Sequence, residues 1–209
     1  MKFYDFAMAP NPRRTRILAA EKGIDLDIEQ VDLRNGGQMS DEFKAINPRC
    51  TVPALVLDSG LVLTENLAIA TYFEEIKPEP PMMGTTAEEK ANVMMWQARI
   101  EQEGLMAVAE AFRNTSPGFA GRAITGQNGF EQIAELAERG LARFQHFCPM
   151  LEKQLGDNQF LLGDQITLVD VTAYTVIDFS GWIKQAIPDD CPKLKAWHER
   201  MAARPSAKA

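Results

Sequence analysis

The segment that most constrains the fold is residues 47–69, where a polar loop leads through Val52-Pro53 into the strand-like run 54–57. A proline cannot donate a hydrogen bond to a sheet, so we expect Pro53 at the start of that strand. A cis Val52–Pro53 bond would make a tight turn there, although trans is the commoner state of such bonds. The turn residues at 58–60 then predict a hairpin with the apolar residues that follow.

Directly after the hairpin, Thr64-Glu65-Asn66 opens a helix with apolar residues at helical spacing. The first turn of a helix presents free backbone N–H groups and about half a positive charge, which suit a carboxylate. Glu65 can meet an ammonium group, so this start predicts a site for a ligand with both groups, such as a γ-glutamyl peptide. The alternative is a simple first-turn acid, which stabilises a helix by about 0.3–1 kcal/mol.

The bulk properties exclude several classes of function. The chain has 209 residues, a net charge of −7 and a pI near 5.0, and its only basic cluster is Arg13–Arg16, so nucleic-acid binding is not expected. No apolar run approaches the length of a membrane span, and no secretory signal precedes the first strand. Three cysteines (Cys50, Cys148, Cys191) and two histidines form no metal-binding pattern, which predicts reduced thiols, a cytoplasmic location and no metal.

The first half of the chain alternates strands and helices. Residues 2–7 predict a strand, Asn11-Pro12 predicts the cap and the first residue of a helix, and residues 26–31 predict a second strand. A strand, a helix and a strand in so short a stretch indicate a parallel pair with a crossover. With a short helix near 40–46 and the hairpin, this half is predicted to be α/β with a small mixed sheet.

Residues 77–81 mark the clearest boundary, because their three prolines stop a helix and stiffen a linker. No strand is predicted beyond them. Capping boxes at Thr86 and Thr167 begin two helices, and the tail after residue 203 is expected to fray. The predicted helices span about 87–112, 130–155, 167–184 and 192–203. The predicted division is an α/β domain over 1–77, a linker over 78–86 and an all-helical domain over 87–209.

Taken in order, these features resemble the glutathione-binding half of the cytosolic glutathione S-transferases: strand, helix, strand, N-P-x-x-x-V-P, hairpin and T-E-[SN]-x-A-I. The first loop, Ala9-Pro10-Asn11, is similar to the T-P-N loop of bacterial-type members. Residues 163–170 resemble the helix start G-D-x-x-[ST]-x-A-D of the second domain, where Asp170 has a structural role. The resemblance covers nearly the whole chain. It implies a thioredoxin-like domain followed by a helical bundle, glutathione as co-substrate, and a homodimer.

The resemblance places the glutathione sulfur at the loop between the first strand and the first helix. A cysteine thiol, with a pKa of about 8.5, is mostly protonated at neutral pH, and only its thiolate is a good nucleophile. The family holds the thiolate with a Ser, Thr, Cys or Tyr side chain, but this chain has Ala9 and Phe6 at those positions. Asn11 keeps a donor, so we predict that it is the catalytic residue, aided by backbone N–H groups and by the field of Arg13 and Arg14. The alternative is that it only caps the helix.

The resemblance implies further contacts with glutathione. The backbone of Val52 would pair with the cysteine of the peptide, and Glu65 and Asn66 would hold its γ-glutamyl end. Asn66 replaces the usual serine, which keeps a donor but adds bulk. The predicted glutathione-binding residues are Ala9, Asn11, Arg13, Thr51, Val52, Pro53, Glu65 and Asn66.

Two assignments stay open. Arg13, Arg14 and Arg16 can form a solvated helix face instead of reaching the ligand. Cys50 stands where the family usually has a glycine. It is either a small buried filler or a thiol close enough to the glutathione sulfur to form a mixed disulfide.

The electrophile would bind between the domains, against Ala7 and Met8 of the first loop. The predicted function is conjugation of glutathione to an electrophilic, apolar substrate. One alternative is glutathione-dependent disulfide or peroxide reduction or ether cleavage, and another is a glutathione-binding module with little turnover. Wall candidates from the helical domain, which can equally be core residues, are Met94, Met95, Trp96, Met106 and Phe112.

Overall fold

The structure of the chain, a computed structural model, describes residues 1–209. Its four strands are β1 (Lys2–Asp5), β2 (Asp27–Gln30), β3 (Ala54–Val56) and β4 (Val62–Leu63). They form one sheet in the order β2-β1-β3-β4. β1 pairs in parallel with β2 and antiparallel with β3, and β3 and β4 form the predicted hairpin.

Three α-helices belong to this half: α1 (Pro10–Lys22), α2 (Asp41–Ile46) and α3 (Asn66–Ile76). α1 is the crossover between the parallel strands, which need a connection of this length. Phe3, Leu55 and Phe73, from β1, β3 and α3, are fully buried in one apolar cluster, so the sheet and its helices share a core. The predicted α/β class of this half is confirmed.

α1 begins at Pro10 rather than at Pro12, so the prediction that Asn11 caps the helix is wrong. Ala9 occupies the capping position, and its side chain makes no cap hydrogen bond. Both prolines suit the first turn, where a backbone N–H has no partner within the helix. Asn11 therefore lies inside the first turn, and its side chain is available for other contacts.

The second half contains five α-helices and, as predicted, no strand longer than an isolated bridge. The helices are α4 (Ala87–Arg99), α5 (Met106–Thr115), α6 (Ala134–Leu155), α7 (Leu168–Ser180) and α8 (Pro192–Ala202). α7 is the central helix, since all of its residues except Asp178 are buried. None of the helices combines the length and the apolar composition that a membrane-spanning segment requires.

A π-helical segment, Ile100–Leu105, joins α4 to α5 where the sequence predicted one regular helix over 87–112. Such segments are rare and are frequent at functional sites. Close packing explains two glycines here: a Cβ on Gly104 would lie 2.5 Å from the Phe147 ring, and one on Gly140 would lie 2.5 Å from the Ala107 carbonyl oxygen. α6 therefore lies directly against the π segment and α5.

Both predicted capping boxes are present, at the starts of α4 and α7. The second does more than cap, because Asp170 is fully buried. Its carboxylate accepts from the backbone N–H of Leu161 at 2.8 Å, from that of Thr167 at 3.0 Å and from Trp197 Nε1 at 3.0 Å. Asp170 thus joins the start of α7 to the preceding loop and to α8.

The prediction that the C-terminal tail frays is wrong, because residues 205–208 form a 3₁₀ turn packed on α1. Arg204 donates to both oxygens of Glu21, at 2.6 and 2.7 Å, and the Ser206 hydroxyl donates to the same carboxylate. Burial alone would raise the pKa of Glu21, but these hydrogen bonds hold it below its ordinary value. An ionised carboxylate therefore holds the tail on α1.

We expect Glu21→Gln to lower the free energy of unfolding at pH 7 by about 1–2 kcal/mol, less than the usual value of about 1.5–3 kcal/mol for a hydrogen bond to a charged group, because glutamine keeps one acceptor oxygen. Because the pKa of Glu21 is lower in the folded chain, its contribution is present above the ordinary pKa of 4.5 and is lost as the pH falls through the folded-state value. Urea unfolding at pH 7 and in steps below 4.5 should show the difference shrinking, with the exposed Glu138→Gln as control. A difference that stays constant across the series would contradict this account.

Candidate functional site

One wall of the candidate site is the turn that enters β3, where the Val52–Pro53 bond is cis. Buried Asn47 shapes this turn, because its amide donates to the Thr51 carbonyl oxygen at 2.7 Å and to the Thr51 hydroxyl at 3.1 Å. Neither the N–H nor the C=O of Val52 makes a hydrogen bond within the chain. The Val52 backbone is therefore open to a partner from outside the chain, and its predicted pairing with a peptide stays a prediction.

Cys50 lies in the same turn and has a φ of 55°, in the left-handed region that favours glycine. This conformation gives a physical reason for the glycine that the family usually has here. The Cys50 side chain is buried, and its Sγ lies 3.7 Å from the Pro48 carbonyl oxygen. The burial favours a small filler over a reactive thiol.

The second wall of the site is the start of α3. The Glu65 side chain is exposed and makes no cap hydrogen bond, and its Oε1 lies 3.7 Å from Arg49 Nε. The first helical hydrogen bond of α3 runs from Ile69 to Glu65, so the N–H groups of residues 66–68 are open to a ligand. This arrangement fits a ligand carboxylate at the helix start with an ammonium group beside Glu65.

Asn66 joins the start of α3 to the start of α1. In the amide orientation that satisfies both of its polar atoms, Nδ2 donates to the Thr15 hydroxyl and the Asn11 carbonyl oxygen, both at 2.8 Å. Its Oδ1 then accepts from Arg14 at 3.0 Å. A serine hydroxyl could not make all three contacts. The Asn66 side chain is thus committed to the two helix starts, which leaves its backbone N–H for a ligand.

Asn11 presents two free donors at the start of α1. Its Oδ1 accepts from Arg14 Nη2 at 2.9 Å, while its Nδ2 makes no hydrogen bond within the chain. Its backbone N–H is the only one in the first three helical residues, because Pro10 and Pro12 have none. The sequence led us to expect several backbone donors near the sulfur, and α1 offers one.

The alternative in which three arginines form a solvated helix face is wrong, because Arg14 and Arg16 are buried. Arg14 pairs with Glu101 of the π segment at 2.7 Å, and Arg16 pairs with Asp5 at 2.5 Å. Burial lowers the pKa of Arg14, and the charge of Glu101 opposes that shift. Both positive charges are compensated, so little of their field is left for a thiolate.

Arg13 points towards the helical half. Its Nη1 donates to Asp178 Oδ2 at 2.6 Å, and its guanidinium carbon lies 5.1 Å from the centre of the Tyr174 ring. Burial alone would raise the pKa of Asp178, but hydrogen bonds from His198 and Arg13 hold it below its ordinary value. Arg13 therefore belongs to a charged cluster between the two halves, and its predicted contact with glutathione stays a prediction.

A cleft of about 180 Å³ opens between the halves beside this cluster. On its apolar side, Met8 of the first loop and Pro10, the first residue of α1, face Phe179 and Trp182 of the helical half. Met8 is 52% exposed and Trp182 is 45% exposed, so both side chains are available to a ligand. Pro10 is the first residue of α1, so the cleft reaches the start of the helix that carries Asn11.

The residues predicted to line the electrophile pocket lie in different places in the structure. Met8 lines the cleft, and Phe112 packs on two of the lining residues, with its ring 5.6 Å from Phe179 and 5.1 Å from Trp182. Trp96 is buried in the main core. Phe179 and Trp182 were missed by the sequence reasoning, although their place at the end of buried α7 was a usable signal. The remaining candidates are exposed and do not line the cleft: Ala7, Met94, Met95 and Met106.

A second cavity, of about 280 Å³ and mostly polar, lies beside Arg49. Pro48 and Arg49 line one side, and residues 125–128 and Phe130 of the connection between α5 and α6 line the other. Gln127 Nε2 donates across it to the Pro48 carbonyl oxygen. The helical half therefore reaches over the loop that leads to Val52.

Two family models match the chain: the glutathione S-transferase N-terminal domain over residues 9–76 and the glutathione S-transferase C-terminal domain over residues 108–205. The chain is 31% identical over 210 residues to glutathione S-transferase 2 of Saccharomyces cerevisiae, covering 100% of the chain and 88% of that protein. It is 31% identical over 165 residues to the maleylacetoacetate isomerase of Rattus norvegicus, covering 76% of the chain and 68% of that protein. The solved structure of a glutathione S-transferase domain-containing protein from Marinobacter aquaeolei VT8 superimposes with a TM-score of 0.91 at 33% identity, over 99% of this chain and 100% of that one.

Proposed function

The chain belongs to the glutathione S-transferase family, and on that premise we propose that it binds glutathione, stabilises its thiolate and adds it to an electrophilic, apolar substrate. The observation that carries the proposal is the pair of free donors on Asn11, in the first turn of α1, whose first residue, Pro10, lines the cleft. Hydrogen-bond donors stabilise the negative charge of a thiolate. Asn11 would have to supply them here, because neither Ala9 nor Phe6 carries a hydroxyl group.

The proposed peptide position uses three parts of the site. The open N–H groups at the start of α3 take the γ-glutamyl carboxylate, and Glu65 takes its ammonium group. The backbone of Val52, between Thr51 and Pro53, pairs with the cysteine residue of glutathione. The cysteine sulfur then lies at Asn11, past the small side chain of Ala9, which leaves room for it.

We propose a homodimer, as the family resemblance implies, and a division into residues 1–77, a linker over 78–86 and a helical domain over 87–209. Three cysteines without disulfide partners support a cytoplasmic location. The electrophile binds in the cleft between the halves.

A second candidate is another glutathione-dependent reaction, such as disulfide or peroxide reduction or ether cleavage. The first loop favours it, because Ala9 and Phe6 supply no hydroxyl to the sulfur. Similarity to a protein named maleylacetoacetate isomerase supports a range of reactions among the relatives. A binding module with little turnover would also keep the Val52 and α3 contacts and lack strong activation of the thiol.

Calorimetry with glutathione, combined with the ultraviolet absorbance of the bound thiolate as the pH is varied, tests the proposal. We expect glutathione to bind with a thiol pKa below that of free glutathione. Binding with an unshifted thiol pKa would favour the second candidate or the binding module. No binding of glutathione would overturn the proposed function.

Within the same assay, Asn11→Ala should lower kcat for a model electrophile by about 10- to 100-fold, somewhat less than the loss of an oxyanion-hole donor. The KM for glutathione should change little, because the peptide contacts lie at Val52 and α3. Asn158→Ala, in an exposed turn and with no side-chain hydrogen bond, is the matched control. Unchanged turnover and an unchanged thiol pKa in Asn11→Ala would exclude Asn11 as the catalytic residue.

A further inference from the structure

Two arginines of the helical half, Arg113 near the end of α5 and Arg122 in the connection that follows, pack against one aromatic ring. Their guanidinium carbons lie 4.6 and 5.3 Å from the centre of the Phe119 ring. Neither forms an ion pair, although the chain has a net charge of −7. Glu131 in the same connection approaches Gly121 but pairs with neither arginine.

This arginine pair has unused hydrogen-bonding capacity. The Arg113 guanidinium makes no hydrogen bond within the chain, and Arg122 makes one, from Nε to the Gly118 carbonyl oxygen at 2.8 Å. Burial, and then the charge of Arg122, lower the pKa of Arg113 to about 10. Partly buried charges are usually paired, because they have lost water and need a counter-charge. An anion at this position would supply both the acceptors and the opposite charge.

Phe119 connects the arginine pair to the cleft. Its ring lies 5.2 Å from Phe112, which lies 5.1 Å from Trp182 and 5.6 Å from Phe179, in each case edge to face. We call these four residues the aromatic wall. The cleft beside Pro10 lies at one end of the aromatic wall, and the arginine pair lies at the other, two ring-to-ring steps away.

Resting on the proposed function, we infer that the electrophile is an extended aromatic compound that carries a carboxylate or sulfonate at the end remote from the reacting carbon. Its rings lie along the aromatic wall, and its anionic group binds Arg113 and Arg122. In the reaction, the glutathione thiolate forms the carbon–sulfur bond, the leaving group departs with the electron pair of the broken bond, and the thiol proton passes to solvent. The arginine pair takes no part in these steps and determines specificity.

Stacking of an arginine on a ring also occurs without a ligand. Arg99, whose guanidinium carbon lies 5.0 Å from the centre of the Trp96 ring, is such a case in this chain. Arg99 is exposed and has no second arginine on its ring, so water satisfies its charge. Arg113 differs because it is partly buried and is repelled by Arg122. Arg99→Met is therefore a matched control for Arg113→Met.

The test uses the full chain and two product analogues, S-(biphenylmethyl)glutathione and the same compound with a carboxylate on its outer ring. Calorimetry measures the dissociation constants of both for the wild type, Arg113→Met, Arg122→Met and Arg99→Met. The wild type should bind the carboxylate analogue about tenfold more tightly, as a partly desolvated charge pair allows. Arg113→Met should reduce that preference to about twofold or less without weakening the neutral analogue. Arg99→Met should change neither affinity.

Equal affinity of the wild type for the two analogues would overturn this inference and leave the proposed function standing. A preference that persists in both Arg113→Met and Arg122→Met would overturn it as well. If glutathione binds and neither analogue does, the inference fails alone; if glutathione does not bind either, the proposed function fails with it. Circular dichroism checks that each variant folds. Should Arg113→Met not fold, the exposed Arg122→Met and the loss of the preference at high salt decide the question.

Discussion

Replacing Asp170 by alanine is expected to lower the free energy of unfolding by about 3–5 kcal/mol, a large fraction of the stability of such a chain. The carboxylate is fully buried, and its loss leaves the N–H groups of Leu161 and Thr167 and the indole of Trp197 without their acceptor. Each buried donor left unsatisfied costs about 1–3 kcal/mol. Because Asp170 lies away from the cleft, the KM for glutathione of the folded fraction should stay near the wild-type value.

Urea unfolding followed by circular dichroism measures this change. Asp164→Ala is the control, since Asp164 is exposed in the preceding loop and makes no hydrogen bond through its side chain. Asp170→Asn keeps one carbonyl acceptor and should fall between alanine and the wild type. A loss below about 1 kcal/mol in Asp170→Ala, less than one unsatisfied donor, would show that water replaces the carboxylate.

Replacing Glu101 by alanine is the second change with a large expected effect, and it should act on both stability and binding. It leaves the buried Arg14 without its carboxylate partner. The cost should be about 2–4 kcal/mol, somewhat less than for a fully buried ion pair, because the Glu101 side chain is 34% exposed. Arg14 also holds the Asn11 and Asn66 side chains. We therefore expect the KM for glutathione to rise several-fold, since the starts of α1 and α3 are both held by Arg14.

Glu103→Ala is the matched control for this change, because Glu103 lies in the same π segment with an exposed side chain and no ion pair. Glu101→Gln keeps an oxygen that can accept from Arg14, so it should show less than half of the loss in stability. Chemical unfolding and steady-state kinetics at varied glutathione are measured for all three variants. A destabilised Glu101→Ala that binds glutathione as the wild type does would show that the two helix starts keep their positions without Arg14.

The parts of the fold that the sequence predicted correctly are those set by residues close together in the chain. The capping boxes at Thr86 and Thr167 depend on a partner three residues away, and the position of Pro53 depends on the strand that follows it. The start of α1 was misplaced because Pro10 and Pro12 both suit the first helical turn. Periodicity could not reveal the π segment, since apolar residues continue through it.

The site residues whose environment was not predicted are those with distant partners. Arg14 pairs with Glu101, 87 residues away, and Arg13 with Asp178, 165 residues away. A run of arginines on a helix is typical of a solvated face, and no residue near them in the sequence indicates that Glu101 and Asp178 are their partners. The docked tail is a similar case, because Arg204 and Glu21 are 183 residues apart. Burial of a charge is decided by the packing of the two halves, which local patterns do not encode.

The two prolines at the start of α1 have a consequence for spectroscopy. Proline has no amide proton, so Asn11 gives the only backbone amide signal between Ala9 and Arg13 in a proton–nitrogen correlation spectrum. Its side-chain amide gives a second pair of signals from the same residue. Residues 10–12, at the start of α1, therefore give amide signals from Asn11 alone, and binding of glutathione can be followed at the proposed catalytic residue without overlap from its neighbours.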